Sequence, residues 1–124
     1  MKFFCPKCHW EMPADVVQCS HCGYDLNRWQ RLDYDQKLIQ ALSHNEVNTR
    51  MRAARLLGLR RIRNAIPELQ KQFLFSQDPY FQAEVMEALF DIDKEAAKIF
   101  FRQTLTGKES VILERTWEQQ LRKN

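Results

Sequence analysis

The stretch that decides the fold runs from Leu38 to Asp93, and it contains one apolar pattern twice: Ala53-Ala54-Arg55-Leu56-Leu57-Gly58 and Val85-Met86-Glu87-Ala88-Leu89-Phe90. Leu57 of the first copy corresponds to Leu89 of the second. We call the number of positions from Leu57 to Leu89 the repeat interval, and one more repeat interval leads from Leu89 to Leu121. Two further sets keep the repeat interval: Thr49, Phe81 and Leu113, and Ala53, Val85 and Trp117. A fixed period of this length is typical of stacked helical hairpins. The sequence therefore predicts a mainly α protein with a solenoid of about three hairpins.

Helical spacing and turn residues predict the boundaries of these hairpins. Asp33 is expected to cap the first helix, and residues 43–46 to turn the chain into a second helix over 47–59, with Gly58 near its end. Pro67 fits a first helical position, and Asp78-Pro79 an N-cap followed by proline. The third hairpin starts after Asp93 and turns at Gly107. The expected inward side chains are Tyr34, Leu38, Leu42, Val47, Ala53, Ala54, Leu57, Leu69, Phe73, Phe81, Val85, Ala88, Leu89, Phe100, Leu113, Trp117 and Leu121.

Two CxxC pairs lie near the start of the chain, Cys5-Pro6-Lys7-Cys8 and Cys19-Ser20-His21-Cys22. Each turn aims two sulfurs at one point, and two facing turns supply the tetrahedral thiolate set that zinc prefers. We therefore predict one structural Zn²⁺ bound by Cys5, Cys8, Cys19 and Cys22. Either His9 or His21 can in principle replace a cysteine, but both lie beside complete pairs and are expected at the surface. A redox role would need a thioredoxin-like βαβ context, which the sequence lacks.

The cysteine-containing stretch resembles the short zinc ribbons of bacterial proteins, whose pattern runs CPxCG, a link, then CxxCG. Here His9 stands where the first glycine is usual. That glycine adopts a left-handed conformation, which histidine tolerates better than most residues. Phe3 and Phe4 are expected to form a short strand, and Trp10, Met12 and Val16 or Val17 to cover the metal-binding turns.

Three segments follow from these patterns: a zinc ribbon over residues 1–27, an ordered join over 28–33, and helical repeats over 34–124. The join contains Trp29 but no glycine or proline, so it does not have the composition of a flexible tether. We expect Trp29 to pack between the two parts, which would then share an interface.

The repeats show a family resemblance in three segments: Leu38-Ile39-Gln40-Ala41-Leu42, Arg52-Ala53-Ala54-Arg55-Leu56-Leu57-Gly58 and Asn64-Ala65-Ile66-Pro67-Glu68-Leu69. They look like the short HEAT-like repeats of bacterial proteins and phycobilin lyase relatives. The resemblance implies an α-solenoid whose second helices line a protein-binding face. It also implies a partly buried arginine at position 50 that needs an acceptor, for which Asp78 is the candidate. Gln82 is the equivalent residue in the second hairpin.

Positive charge is concentrated in the middle of the chain. Residues 37–72 carry eight Lys/Arg against two Asp/Glu, whereas residues 1–36 carry four against five and residues 73–124 carry seven against nine. Six arginines lie between Arg50 and Arg63. Such a cluster can contact the phosphates of a nucleic acid. It can instead form a solvated helix face that contacts the acidic N-terminal region, residues 1–36, or an acidic partner. The candidate partner-binding residues are Arg52, Arg55, Arg60, Arg61 and Arg63.

A non-enzymatic interaction module that binds a protein partner is the function this sequence favours, and nucleic-acid binding is the alternative. Enzymatic activity is not expected, because every cysteine is assigned to metal and no nucleophile and base pair remains. The last hairpin lacks an obvious polar outer cap, so a partner or a second copy can cover that end. No apolar run approaches the roughly 18 residues of a membrane span. The cysteine usage and the absence of a signal region predict a cytoplasmic location.

Overall fold

The computed structural model describes residues 2–13, 16–27 and 32–123. Its N-terminal part, called the head, begins with strand β1 (Lys2–Phe4), which pairs antiparallel with β2 (Glu11–Pro13) and places Phe3 opposite Met12. The strand predicted at Phe3 and Phe4 is therefore confirmed. Trp29 lies outside the described residues, and so does its predicted packing.

From Tyr34 onward the described chain forms six α-helices, called the stack. They are α1 (Tyr34–Ala41), α2 (Val47–Leu59), α3 (Ile66–Phe75), α4 (Pro79–Ile92), α5 (Lys94–Thr104) and α6 (Val111–Arg122), with a 3₁₀ turn at Arg63–Ala65 before α3. The pairs α1–α2, α3–α4 and α5–α6 are hairpins 1, 2 and 3. The predicted mainly α fold with three helical hairpins is confirmed. Among the described residues there is no helix with the length and apolar character needed to cross a bilayer.

The helix starts follow the predicted capping residues. Asp33 accepts the backbone N–H of Gln36, whose side chain accepts the N–H of Asp33 in return, which completes a capping box. Asp78 accepts the N–H groups of Tyr80 and Phe81 at the start of α4. Pro79 is the first residue of α4, as predicted, whereas Pro67 is the second residue of α3 rather than the first.

The second helices of the hairpins form a row in which α4 packs against α2 on one side and α6 on the other. The core of the stack consists of Leu38, Leu42, Ala53, Ala54, Leu57, Ala65, Leu69, Phe73, Phe81, Val85, Met86, Ala88, Leu89, Phe90, Ile92, Ala97, Phe101 and Leu113. Most of the predicted inward positions belong to this set, and Trp117 packs against it while partly exposed. The repeat interval therefore located most of the core correctly.

Three predicted inward residues are placed differently. Tyr34 is 54% exposed and Leu121 38% exposed. Leu121 lies in the last turn of α6, and within the described chain no further helix follows to cover it. In α5 the fully buried side chain is Phe101, one repeat interval after Leu69, whereas Phe100 is only half-buried.

Gly58 allows α2 and α4 to approach each other closely. A Cβ atom at Gly58 would lie 2.7 Å from the Cα of Ala88, closer than real Cβ contacts come. The left-handed residue that ends α2 is Arg61, with a φ of 54°, and not Gly58. The Arg61 N–H donates to the Gly58 carbonyl and the Ile62 N–H to the Leu57 carbonyl, which is the Schellman pattern. Glycine usually holds this left-handed position, so the arginine is strained.

The outer edge of α6 is charged, contrary to the prediction that the last hairpin lacks a polar cap. The repeat interval relates Glu118 to Ala54 and Met86, and Arg122 to Gly58 and Phe90. Those four earlier residues are buried, and Gly58 and Phe90 face the next hairpin through Ala88 and Trp117. Glu118 and Arg122 are 62% and 79% exposed. The stack therefore ends in a polar edge, as helical solenoids require.

Candidate functional site

The four cysteines of the head form one cluster. Their Sγ atoms all lie within 4.8 Å of one another, with 3.7 Å between Cys5 and Cys22 and 3.6 Å between Cys8 and Cys19. Four thiolates at about 2.3 Å from a tetrahedral metal ion lie about 3.8 Å apart. The predicted ligand residues are thus brought together with a spacing and a donor set that fit such an ion.

Two turns of the same design hold these cysteines. The His9 N–H donates to the Cys5 carbonyl at 2.8 Å, and the Gly23 N–H donates to the Cys19 carbonyl at 2.9 Å. His9 has a φ of 66° and Gly23 a φ of 81°. The predicted left-handed conformation of His9 in place of glycine is confirmed.

Backbone N–H groups favour the charged form of one thiol. The Cys19 Sγ accepts the N–H groups of His21 and Cys22 at 3.4 Å. Burial raises the pKa of Cys19, but these hydrogen bonds outweigh it and the pKa falls to about 6. Burial raises the pKa of Cys8 to about 12. A cation coordinated by both residues would favour the thiolate form of each.

The small core of the head differs in part from the prediction. Met12 is buried and Val16 packs beside it, but Trp10 is 51% exposed and stacks on His21 with ring centroids 4.4 Å apart. Val17 is 61% exposed, so Val16 is the covering valine.

Sequence reasoning missed two residues of this core, the buried Leu26 and the partly buried Tyr24. Tyr24 follows Trp10 at the same offset at which Cys19 follows Cys5. Because the two metal-binding turns have the same design, this offset is the signal that could have found Tyr24.

The head contacts hairpin 1 through the first CxxC turn. The His9 Nε2 lies 3.2 Å from the Ser43 carbonyl oxygen, and the His9 and His44 rings have centroids 4.5 Å apart. Tyr24 donates its hydroxyl to the Gln40 side chain at 3.5 Å. The two parts therefore share an interface, as predicted.

His44 serves this loop as a neutral acceptor. Its Nδ1 accepts the N–H of Glu46 at 3.0 Å. Burial lowers the pKa of His44, and the neighbouring His9 lowers it further. Both observations favour an uncharged imidazole that holds the turn between α1 and α2.

Three of the five candidate partner-binding arginines form ion pairs inside the stack. Arg55 contacts Glu84 at 2.5 Å, Arg60 contacts Asp35 at 2.8 Å, and Arg63 contacts Asp93 at 3.1 Å. Glu84 and Asp93 lie far from the acidic N-terminal region in sequence, so Arg55 and Arg63 do not pair with that region. Asp35, the partner of Arg60, is one of the five acidic residues counted over residues 1–36. Arg52 and Arg61 are exposed, and neither has a carboxylate within 4.0 Å among residues 2–13, 16–27 and 32–123.

Arg50 is partly buried, as expected, but Asp78 is not its acceptor. Its Nη1 donates to the His44 carbonyl at 2.7 Å, and its guanidinium lies over the Phe81 ring at 5.3 Å. The side chain of Gln82 donates to the Ser76 carbonyl at 2.9 Å. Ser76 precedes Gln82 by the same number of positions as His44 precedes Arg50, so Gln82 retains the contact of Arg50 without its charge.

Exposed and partly buried side chains of α2 and α4, most of them charged, form a surface with both signs of charge, which we call the α2–α4 face. It consists of Arg52, Arg55 and Leu59 on α2 and, one repeat interval later in each case, Glu84, Glu87 and Asp91 on α4. The Arg55 ion pair with Glu84 joins the two rows. Burial raises the pKa of Glu87, and the charge of Glu84 raises it further. Basic and acidic groups therefore lie side by side on neighbouring helices.

Comparison with known families agrees with this architecture. The family model for HEAT repeats matches residues 36–122. No curated protein and no solved structure gives a significant match to the chain. The matched segment covers all of α2 to α6 and most of α1. The chain therefore belongs to the HEAT repeat family.

Proposed function

We propose that this protein is a non-enzymatic interaction module in which a zinc ion holds the head and the HEAT stack binds a protein partner. The mixed charge of the α2–α4 face is the observation that favours a protein over a nucleic acid as the binding partner. Arg55 is neutralised by Glu84, and Glu87 and Asp91 lie on the same side of α4. A polyanion approaching Arg52 would meet these carboxylates, whereas a folded protein can offer charges of both signs.

Zinc is the proposed metal because its chemistry matches the donor set. Four thiolates with near-tetrahedral spacing suit Zn²⁺ and leave no open coordination position. The pattern of the two CxxC turns and their likeness to bacterial zinc ribbons support the same choice. In this proposal the ion is structural, because the described part of the head has four buried residues in its core, too few to stabilise it by apolar burial.

The proposal includes no enzymatic activity. The four thiols belong to the cysteine cluster that the proposal assigns to the metal. The imidazole of His44 accepts a backbone N–H. A likeness of the repeats to those of phycobilin lyase relatives concerns the fold and supplies no catalytic group.

Affinity purification of the full chain under native conditions, followed by identification of bound protein and quantification of bound nucleic acid, tests the proposal. We expect a protein to be recovered in a fixed ratio with the zinc-loaded chain. DNA and RNA probes should bind weakly even in dilute salt. A submicromolar dissociation constant for DNA or RNA at physiological salt, lost on replacing Arg52 and Arg55 by alanine, would establish the nucleic-acid alternative instead.

A further inference from the structure

A cleft of about 330 Å³ lies between α5 and α6 of hairpin 3, and we call it the end cleft. Phe101 and Leu113 are buried at its base, and Leu105 and Trp117 are partly exposed along it. Its rim carries Arg102, Glu109, Glu114 and Glu118. An apolar floor of this size with a polar rim is typical of sites that receive ligand groups or large side chains.

The repeat register shows what fills the equivalent groove one hairpin earlier. The floor residues Phe101, Leu105, Leu113 and Trp117 correspond, one repeat interval earlier, to Leu69, Phe73, Phe81 and Val85. All four of these are buried, and the Phe73 ring is covered by Phe100 and Phe101 of α5, at centroid distances of 6.1 and 4.9 Å. A helix of the next hairpin thus fills the groove of hairpin 2. The end cleft is the same groove without a covering helix among the described residues.

The charged edge of α6 argues against a complete fourth hairpin as the occupant. Such a hairpin would pack its second helix on Glu118 and Arg122, at positions that are buried in α2 and α4. A second copy stacked head to tail is also disfavoured, because it would need a free hairpin 1. The head already contacts Gln40 and Ser43 there. A single helix that enters between α5 and α6 meets neither obstacle.

The charges on the rim define the chemistry of that helix. The rim carries three carboxylates and one guanidinium, so its net charge is negative. Glu109 accepts the Thr106 hydroxyl and the N–H groups of Thr106 and Gly107, and these bonds, the hydroxyl bond above all, keep its pKa low. Glu114 has no ion-pair partner in the part of the chain that the structure describes. A helix with lysine or arginine beside its apolar stripe complements this rim.

We infer that the end cleft binds one amphipathic helix of the protein partner, with large apolar side chains on the cleft floor and basic side chains beside the rim carboxylates. The inference rests on the proposed function and adds hairpin 3 to the surface that contacts the partner. This mode of recognition uses an apolar stripe at helical spacing.

A designed peptide probes the cleft without knowledge of the natural partner. The probe is a fluorescein-labelled peptide of about five turns with leucine at helical spacing on one face and lysine on both flanks. One control peptide has the same composition with the stripe scrambled, and another carries glutamate in place of lysine. Fluorescence anisotropy with the zinc-loaded full chain measures the dissociation constants. We expect binding in the micromolar range for the first peptide alone.

Matched charge reversals locate the binding. E114K/E118K should weaken binding by about tenfold or more, since two attractive rim charges become repulsive. E46K/E95K makes the same change of net charge at exposed positions outside both the cleft and the α2–α4 face and should change binding by less than about twofold. In ¹⁵N-resolved NMR spectra the Trp117 indole N–H should shift on saturation with the peptide. Circular dichroism confirms that both variants keep the helical fold.

Several results would overturn the assignment of the cleft. They are equal binding of the scrambled peptide, equal weakening in both variants, or shifts confined to α2 and α4. If a protein recovered by affinity purification still binds E114K/E118K normally, the cleft assignment fails while the proposed function stands. If purification yields nucleic acid and no protein, the proposed function fails, and the peptide titration still decides whether the cleft accepts a helix.

Discussion

The head and the stack are stabilised by different physical means. Among the described residues the head has four buried residues in its core, two of which are cysteines, whereas the stack has eighteen buried apolar residues in one continuous cluster. In the proposed function the head therefore depends on bonds to a metal ion, whereas the stack depends on the removal of apolar surface from water. This contrast teaches that one chain of 124 residues contains two parts that should fail under different conditions.

Removing the metal should have the largest effect and should affect the head alone. Structural zinc contributes on the order of 10 kcal/mol in small zinc domains, far more than the head can gain from burial. With a strong chelator, NMR signals of residues 2–27 should collapse to random-coil positions, while the helical circular dichroism of the stack persists. Metal analysis should give one zinc per chain before chelation.

Adding zinc back is the control and should restore the head signals. Less than about half an equivalent of zinc, or iron in its place, would contradict a structural zinc site. Simultaneous loss of the stack signals would show that the two parts are one cooperative unit.

Replacing Trp117 by alanine should destabilise the stack by about 3 kcal/mol, the lower end of the range for such truncations because the ring is partly exposed. The ring contacts Phe90 and Phe101 at centroid distances of 5.8 and 6.0 Å, so the change opens a cavity in hairpin 3. Urea unfolding followed by circular dichroism measures the loss.

Trp10→Ala in the head is the matched control, because that ring is half-exposed and touches His21. It should change the free energy of unfolding of the stack by less than about 0.5 kcal/mol. An unchanged melting curve for Trp117→Ala would show that hairpin 3 does not share the core.

Gly58→Ala should destabilise the stack by about 1 to 2 kcal/mol, although alanine is the better helix former. The added methyl group would press on the Cα of Ala88, where backbone atoms must move. Thermal unfolding measures the effect. Leu59→Ala at the next position, which is 68% exposed, should be nearly neutral, and a stabilised Gly58→Ala would mean that α2 and α4 are further apart than described.

Arg61→Gly should stabilise the stack by about 1 kcal/mol, the smallest effect, because glycine removes the strain of a left-handed residue. His9→Gly relieves the same strain in the head but also removes the contacts to Ser43 and His44. It should therefore loosen the interface between head and stack. Differential scanning calorimetry gives both changes, and a destabilised Arg61→Gly would show that the arginine side chain makes a stabilising contact.

The sequence predicted the clustering of the four cysteines, the left-handed His9 and most of the core because these features depend on local spacing. The CxxC turn and the helical hairpin each occur more than once in the chain. The place of a residue in one copy therefore predicts the place of the equivalent residue in another copy. Two of the three misplaced residues, Tyr34 and Leu121, lie in the first and the last helix of the stack. Leu121 follows the repeat interval and is exposed, because no later hairpin among the described residues covers it.

The remaining contacts of the fold depend on residues that lie far apart in the sequence and close together in space. The sequence alone determined that six arginines lie between positions 50 and 63, but only the packing of α2 against α4 and α1 placed Glu84 beside Arg55 and Asp35 beside Arg60. Likewise Gly58 is explained by the approach of Ala88, which belongs to the next hairpin. Spacing along a helix determines which side chains share a face, whereas the partner of each side chain depends on how the helices dock in three dimensions.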